Sequence, residues 1–280
     1  MQRERFAILG GGNMGRALIG GLLRREVHPA QIAVGESNPD ARAAVLRDFK
    51  IEATPDNAKA VANASFVVVA VKPQDAGVAL EPLASLMQRN RAVVLSFAAG
   101  IRTLALQNWC GQGVPVVRAM PNRPALVGAG ATALFADGNV THAERSRAES
   151  VMQAVGDVVW VGSEDAMDVV TALSGTGPAY FFFMAEMMTQ AAIGLGLEAE
   201  AARQLSISTL YGAGRLVRES DGDVVRLRAE VTSKKGTTEA AMRVLEQAEV
   251  RQIMSQAIRA AAERSRELAE QFGSVTQKSA

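Results

Sequence analysis

The 280-residue sequence predicts an α/β amino-terminal half followed by an all-helical carboxyl-terminal half. Short apolar runs bounded by turn residues recur up to about residue 162, which is typical of strands buried on both faces of a sheet. Beyond about residue 165 this pattern gives way to long helical stretches. We therefore predict two domains, residues 1–162 and residues 163–272, followed by a disordered tail over residues 273–280.

Five apolar runs account for most of the predicted sheet. They are RFAIL (Arg5–Leu9), IAVGE (Ile32–Glu36), FVVVAV (Phe66–Val71), AVVLSF (Ala92–Phe97) and PVVRAM (Pro115–Met120). Helical stretches separate these runs, which implies βαβ units and a parallel sheet. The segments GATALFA and DVVWVG are expected to add strands at the end of this domain.

A glycine-rich turn, GGGNMG, fits the G-x-G-x-x-G pattern of dinucleotide-binding turns and lies between a predicted strand and a helix. Gly10 permits the tight turn, Gly12 lets the backbone approach a pyrophosphate, and Gly15 lets the helix pack close to the strand. The helix N-terminus then offers N–H groups to the phosphate. A Rossmann-type dinucleotide-binding domain is therefore predicted, with an ordinary structural turn as the alternative.

The end of the second predicted strand leaves the type of dinucleotide open. Glu36 lies about where an acidic residue holds the ribose 2′-hydroxyl of NAD. Ser37, Asn38 and Arg42 follow it, and Asn57 lies further on; these groups could instead bind the 2′-phosphate of NADP. The same stretch could also be only a turn with a helix cap.

Composition narrows the class of protein. A net charge of +1 without a dense basic run argues against nucleic acid as a partner. No apolar run reaches the ~18 residues that a membrane span needs, and the start MQRERF leaves no room for a signal peptide. Cys110 is the single cysteine, so a reducing compartment, the cytoplasm, is expected. No His/Cys cluster occurs, so no metal site is predicted.

The carboxyl-terminal half carries unusually wide apolar helix surfaces. The predicted helices are MDVVTALSGTGPAYFFFMAEMMTQAAIGLG, with a glycine-rich interruption at Ser174–Pro178, then LEAEAARQLSISTLYGAGRLVRES, GTTEAAMRVLEQ and VRQIMSQAIRAAAERSRELAEQ. A helix that is apolar on nearly all sides must be enclosed. A homodimer is therefore predicted.

The scarcity of histidine and lysine limits the reactions that this protein could catalyse with a general base. His28 and His142 lie outside every motif, and no lysine occurs between Lys72 and Lys234. Enzymes that oxidise alcohols commonly need such a group to take the hydroxyl proton. Reduction of a C=N bond needs less help, because a protonated imine is already electrophilic and must mainly be aligned with a nicotinamide. The sequence therefore favours an imine substrate.

The stretch VTSKKGTTEAAM supplies hydroxyl and N–H groups for such alignment. Gly236 frees the backbone to approach an anion, and Thr237 and Thr238 open a helix. A substrate carboxylate there would meet free N–H groups at the positive end of the helix. The alternative is that Thr237 or Thr238 merely provides the N-cap.

Several short segments occur in a characteristic order along the chain. They are GGGNMG, AVKPQ, SFAAG, RAMPNRPALVGAGAT, ALSGTGPAY and LRAEVTSKKGTT. In this order the sequence resembles pyrroline-5-carboxylate reductase over about residues 5 to 270. The resemblance implies a Rossmann domain followed by a helical domain that interlocks with that of a second copy, with the active site at the interface of a homodimer. It also implies that dimers assemble further into rings.

The implied reaction reduces the small molecule 1-pyrroline-5-carboxylate to L-proline, with NADPH as the usual cofactor and NADH also used. Thr238 is the implied catalytic residue, beside the ring nitrogen. The residues implied to hold the substrate carboxylate with it are Ser233, Gly236 and Thr237. The residues implied to bind the cofactor are Gly10, Gly12, Asn13, Met14 and Gly15 at the pyrophosphate, Ser37 and Asn57 at the adenosine phosphate, and Val71, Lys72, Pro73, Ala98 and Ala99 along the wall.

The sequence departs from the family pattern at a few positions. Lys235 stands where a glycine is usual, Arg123 replaces a threonine, Asp223 begins a pair that replaces His-Pro, and Ala229 replaces an acidic residue. Three of these lie before or within the loop assigned to substrate. Two alternatives therefore stay open, a reductase of another cyclic imino acid such as a six-membered ring, and a non-catalytic NADPH-sensing dimer.

Overall fold

The structure of the protein is a computed structural model, which describes residues 4–275 and their side chains up to residue 272. The described residues form one eight-stranded sheet with the order β3-β2-β1-β4-β5-β6-β7-β8. The strands are β1 (Phe6–Leu9), β2 (Ile32–Gly35), β3 (Ala53–Thr54), β4 (Phe66–Val69), β5 (Val93–Ser96), β6 (Val116–Met120), β7 (Gly130–Phe135) and β8 (Gly156–Trp160). Every neighbouring pair is parallel except β6 and β7, which are antiparallel.

The central strands are buried on both faces, as the continuous apolar runs predict. Successive side chains alternate between the faces of a strand, so Phe6 and Ile8 of β1 lie in one core while Ala7 and Leu9 lie in the other. Helices cover each face. The helices associated with the sheet are α1 (Asn13–Arg24), α2 (Pro39–Phe49), α3 (Asn57–Val61), α4 (Ala76–Leu80), α5 (Ala84–Asn90), α6 (Thr103–Cys110), α7 (His142–Met152) and α8 (Ala166–Val170).

The remaining helices follow α8 in the chain. A π-helical turn spans Thr171–Gly175 and is followed by α9 (Gly177–Gly194), α10 (Ala199–Glu219), α11 (Val224–Glu230), α12 (Thr237–Gln247) and α13 (Val250–Val275). The predicted fold class, a Rossmann-like domain with a helical carboxyl-terminal region, is confirmed. Within residues 4–275 there is no helix with the length and apolar character needed to cross a membrane.

The structure divides into two compact units. One unit contains the residues up to Gly175 together with those from Ala261 onward, and the other is Thr176–Ala260. The first unit therefore extends past the boundary predicted at residue 162, because α8 packs on β7. It also takes in the end of α13, where Phe272 packs on the core that contains Ala7.

Two elements lie where sequence reasoning predicts none. Helix α11 is capped by Asp223, whose carboxylate accepts hydrogen bonds from the Val225 and Arg226 N–H groups, both at 3.0 Å. This capping role is a physical reason for an aspartate at that position. Strand β3 is only two residues long, too short for a periodic signal. The tail predicted over residues 273–280 starts inside α13, which runs to Val275, and its residues 276–280 lie outside the described residues.

Candidate active site

The turns that follow β1, β2, β4 and β5 lie side by side at the carboxyl edge of the sheet. Backbone hydrogen bonds join them: Gly10 N–H donates to the Gly35 carbonyl and Ala70 N–H to the Leu9 carbonyl, both at 2.8 Å. The chain order reverses between β1 and β4, so this is the switch point of the sheet. Ligands of open α/β sheets bind at such a crevice.

The glycine-rich turn has the geometry of a pyrophosphate cradle. Gly10 has a φ of +109°, and a Cβ at that position would come within 2.7 Å of the Ala70 carbonyl carbon. A Cβ on Gly15 would overlap the Gly10 carbonyl oxygen, whereas one on Gly12 would meet nothing within 4 Å. Gly12 also provides the N-cap of α1 without a side chain. Open space and N–H groups thus coincide at Gly12, and the turn fits a bound pyrophosphate.

Glu36 connects the end of β2 to the glycine-rich turn. Its Oε2 accepts a hydrogen bond from Gly11 N–H at 2.7 Å, and its Oε1 accepts one from Asn38 N–H at 2.8 Å. The side chain is half-buried. The carboxylate therefore joins the glycine-rich turn to the start of the segment predicted to lie at the adenosine end of the cofactor.

The residues predicted at the adenosine phosphate lie around the same strand end. Ser37 is exposed, and its carbonyl oxygen accepts a 2.7 Å hydrogen bond from Arg42 Nη1. Asn57, the first residue of α3, approaches β2 so closely that a Cβ on Gly35 would overlap its Oδ1. Asn38 caps α2 by accepting hydrogen bonds from two N–H groups of the first turn. The alternative of a helix cap is thus correct for Asn38, and Ser37 and Asn57 remain next to the cradle.

The predicted wall of the site comes from the turns after β4 and β5. Val71 is half-buried, and Lys72 is exposed before the short helical turn Pro73–Asp75. Ala98 is buried, and its N–H donates to Ser96 Oγ at 3.3 Å. Ala99 follows it and is half-buried. These turns belong to the same sheet edge as the glycine-rich turn, and their cofactor role stays a prediction.

In the second unit, specific contacts define the conformation of the loop before α12. Gly236 provides the N-cap of α12, so the alternative that Thr237 or Thr238 caps this helix is wrong. A Cβ on Gly236 would overlap Ser233 Oγ, which explains the need for glycine there. Both threonines lie in the first turn, where backbone N–H groups have no intrahelical acceptor. The loop thus presents backbone N–H groups at the start of α12, and its role as an anion site stays a prediction.

Lys235 has the backbone conformation that accounts for the glycine usual at this position. Its φ is +61°, a left-handed conformation that favours glycine. Its backbone N–H donates to Glu239 Oε2 at 2.7 Å, which holds the turn in that conformation. The side chain is exposed.

Sequence reasoning did not single out two polar links within the first unit. Asn122 Nδ2 donates to the Ser174 carbonyl at 3.0 Å, and this bond joins the RAMPN segment to the π-helical turn. Glu164 Oε1 accepts from Arg118 Nη1 at 2.6 Å and from the Thr103 N–H at 2.6 Å. Burial raises the pKa of Glu164, but the Thr103 amide and the Arg118 guanidinium outweigh it and hold that pKa below its ordinary value. Partners so distant in sequence leave no local signal.

Comparison with known proteins identifies the family. Over 273 residues, the chain is 42% identical to the pyrroline-5-carboxylate reductase of Pseudomonas aeruginosa, covering 98% of this chain and 100% of the relative. The chain belongs to the pyrroline-5-carboxylate reductase family. The reductase of Haemophilus influenzae is 38% identical, covering 96% of this chain and 98% of the relative.

Solved reductase structures and family models agree with this assignment. A pyrroline-5-carboxylate reductase from Coxiella burnetii superposes with a TM-score of 0.90 at 40% identity, covering 95% of this chain and 98% of that one. A Plasmodium falciparum reductase with NADP bound has a TM-score of 0.83 at 25% identity, covering 96% and 99%. Residues 164–268 match the model described as "Pyrroline-5-carboxylate reductase dimerisation", and residues 5–100 match "NADP oxidoreductase coenzyme F420-dependent".

The dimerisation region of this reductase-family chain carries exposed apolar side chains. On α9, Phe181, Phe182 and Phe183 are 62%, 59% and 58% exposed in the single chain. Exposed apolar surface on this scale is typical of a protein–protein interface. Together with the match to the family's dimerisation model, it indicates a homodimer, as predicted.

Proposed function

We propose that this chain is an NAD(P)H-dependent reductase that converts 1-pyrroline-5-carboxylate to L-proline. The observation that carries the proposal is an end-to-end match to reductases of this name in a chain that retains the glycine-rich cradle at its sheet edge. Relatives with this name act on a small imino acid, and one solved relative holds NADP. Both agree with the imine chemistry that the scarcity of bases favours.

The chain's own residues mainly bind and orient the reactants. When bound, NADPH or NADH supplies the hydride that adds to the imine carbon, while the ring nitrogen retains the proton it already carries. Gly10, Gly12 and Gly15 receive the pyrophosphate, together with Asn13 and Met14. In this proposal Ser37 and Asn57 face the adenosine phosphate. The residues that line the cofactor are Val71, Lys72, Pro73, Ala98 and Ala99.

The loop before α12 holds the substrate in this proposal. Ser233, Gly236 and Thr237 bind the carboxylate through hydroxyl and backbone N–H groups at the positive end of the helix. Thr238 orients the ring nitrogen with its hydroxyl. Alignment of this kind accounts for catalysis without a His or Lys base, because the protonated imine is already electrophilic.

A turnover assay tests the proposal. Purified protein is mixed with 1-pyrroline-5-carboxylate and NADPH or NADH, and nucleotide oxidation is followed by absorbance. A six-membered cyclic imino acid in parallel separates the two ring sizes by their kcat/KM values. If neither nucleotide is oxidised with either ring, the proposed enzymatic activity is refuted. The remaining alternative is then the non-catalytic NADPH-sensing dimer.

We further propose that dimers assemble into a ring and that the protein works in the cytoplasm. The proposal of a ring of dimers rests on the family resemblance. Light scattering measures the mass of the assembly and so distinguishes a single dimer from several dimers. The cytoplasmic location is supported by the single cysteine, Cys110, which can form no disulfide within the chain. Fractionation of cells that express the protein tests the location.

A further inference from the structure

We infer that Phe272, near the end of α13, is a positioning residue for the dinucleotide, because it holds the turn after β5 in the conformation that lines the cofactor. The inference rests on the proposed function, since it concerns the cofactor of that reaction. It gives the carboxyl-terminal helix a part in nucleotide binding, whereas every cofactor residue predicted from the sequence lies before residue 100.

One face of the last part of α13 is buried within the first unit, to which the chain belongs again from Ala261 onward. Ala262, Ser265 and Ala269 are buried, and Phe272 continues the same face at helical spacing. This face therefore brings the end of α13 against the sheet-containing unit that carries the glycine-rich turn.

The end of this face contacts the turn after β5 at Gly100. A Cβ on Gly100 would lie 3.3 Å from the backbone nitrogen of Ala269 and 3.3 Å from Cδ2 of the Phe272 ring. Gly100 also has a φ of +76°, so both its conformation and this close approach favour a residue without a Cβ. The backbone of α13 and the ring of Phe272 thus lie directly against the turn.

Hydrogen bonds within the turn hold it only weakly. Ala98 N–H donates to Ser96 Oγ at 3.3 Å, and Ile101 N–H donates to the Ala98 carbonyl at 3.4 Å, both longer than usual for such bonds. Ala98 and Ile101 are buried members of the core against which Phe272 packs. The conformation of the turn therefore depends on packing, and Phe272 supplies part of that packing from α13.

The position of the turn in the sheet indicates which part of the dinucleotide it serves. Strands β2 and β5 lie on opposite sides of the β1–β4 pair, where a dinucleotide crosses the crevice. Ser37 and Asn57, proposed for the adenosine end, lie on the β2 side. Loss of the Phe272 ring should therefore weaken binding of the whole dinucleotide and leave binding of its adenosine half unchanged.

The test measures binding, which needs no imine substrate. Isothermal titration gives the Kd of NADPH, and of 2′,5′-ADP as the adenosine half alone, for the wild type and for Phe272→Ala, Phe272→Leu and Ser265→Ala. Ser265 is the matched control, because it lies on the same face of α13 and its hydroxyl donates to Asp168 on α8. Thermal unfolding of each variant separates a loss of stability from a loss of affinity.

We expect Phe272→Ala to raise the Kd of NADPH about fivefold, as when the turn keeps its binding conformation in about one fifth of the molecules. Phe272→Leu retains an apolar side chain and Ser265→Ala retains the ring, so each should change this Kd by less than about twofold. The Kd of 2′,5′-ADP should be the same in all four proteins. In turnover, Phe272→Ala should raise the KM of NADPH and leave kcat at saturating NADPH unchanged.

Hydrogen exchange of the wild type provides a measurement without a substitution. NADPH should slow amide exchange in residues 96–101 and also in residues 268–272, because the two segments pack together. The adenosine half alone, 2′,5′-ADP, should not slow exchange in either segment.

The inference alone is overturned if Phe272→Ala binds NADPH as tightly as the wild type, if Ser265→Ala weakens binding equally, or if the affinity for 2′,5′-ADP falls in parallel. If Phe272→Ala does not fold, hydrogen exchange decides, and a wild type without NADPH-dependent protection in residues 268–272 overturns the inference. Wild-type protein that binds NADPH without reducing the imine would overturn the proposed activity alone. Wild-type protein that does not bind NADPH would overturn both.

Discussion

The hydroxyl of Ser265 on α13 donates a 2.7 Å hydrogen bond to the carboxylate of Asp168 on α8, and both side chains are buried, at 7% and 6% exposure. The two residues are 97 positions apart, so this bond fixes the returning end of the chain to the first unit. A buried carboxylate that loses a donor incurs a desolvation penalty.

Ser265→Ala should therefore lower the free energy of unfolding by about 1–3 kcal/mol, because it leaves Asp168 without this donor. Denaturant unfolding followed by circular dichroism measures the change. Ser85→Ala, an exposed helical serine in the same unit, is the control and should change little. Equal effects of the two substitutions would show that the buried bond contributes nothing.

Lys235→Gly should stabilise the loop before α12, by up to about 1 kcal/mol, because glycine adopts the left-handed conformation without a Cβ penalty. Thermal unfolding measures the gain. Lys234→Gly is the matched control, and it should not stabilise the protein, since Lys234 has no positive φ. A lower melting temperature for Lys235→Gly than for the wild type would contradict the interpretation.

Thr238→Ala should lower kcat/KM, because the proposed mechanism uses its hydroxyl to orient the imine. The decrease should correspond to a loss of roughly 1–3 kcal/mol of transition-state stabilisation. The Kd of NADPH should stay the same, because Thr238 is assigned to substrate alone. Thr238→Ser keeps the hydroxyl and should retain most of the activity. If the alanine variant reacts as fast as the wild type, Thr238 has no part in the mechanism.

Acid stability should depend on Glu164. The pKa of Glu164 is lower in the folded protein than its ordinary value of 4.5. The ionised carboxylate therefore stabilises the fold above about pH 4.5, and this stabilisation is lost as the pH falls through the pKa of the folded state. Glu164→Gln should therefore be less stable than the wild type at pH 7 and should lose less stability between neutral and acidic pH. Urea unfolding across that range tests this. The exposed Glu52→Gln should leave the pH profile unchanged.

Phe182→Asp should weaken the dimer, because it places a charge on the exposed apolar surface of α9. Light scattering over a dilution series should show monomer at concentrations where the wild type is dimeric. Leu46→Asp replaces a side chain that is 46% exposed on α2 of the first unit, and it should leave the mass unchanged. A dimeric Phe182→Asp variant would place the interface elsewhere.

Much of the first unit could be predicted because its signals are local. The runs that form β1 and β4 are buried on both faces, and the constraints on Gly10 and Gly15 follow from turn geometry that the pattern already encodes. The glycine-rich turn was thus placed correctly between β1 and α1.

What the sequence could not predict depends on partners distant in the chain or on a single dihedral angle. The Glu36 contact to Gly11 spans 25 positions, and the pairing of Asn122 with Ser174 spans 52. The left-handed conformation of Lys235 gives no signal in a residue type that rarely adopts it. The extent of the compact first unit could not be predicted for the same reason, since it depends on how α8 and the end of α13 pack.

The first unit is assembled from two pieces of chain separated by the whole of Thr176–Ala260. During translation, the second unit therefore leaves the ribosome before the last segment of the first unit has been synthesised. Phe272 can join the core of the first unit only after residues 176–260 have been synthesised. Folding of the first unit should consequently finish only after the second unit has left the ribosome, and a chain stalled before Ala261 should expose the surface on which Phe272 packs.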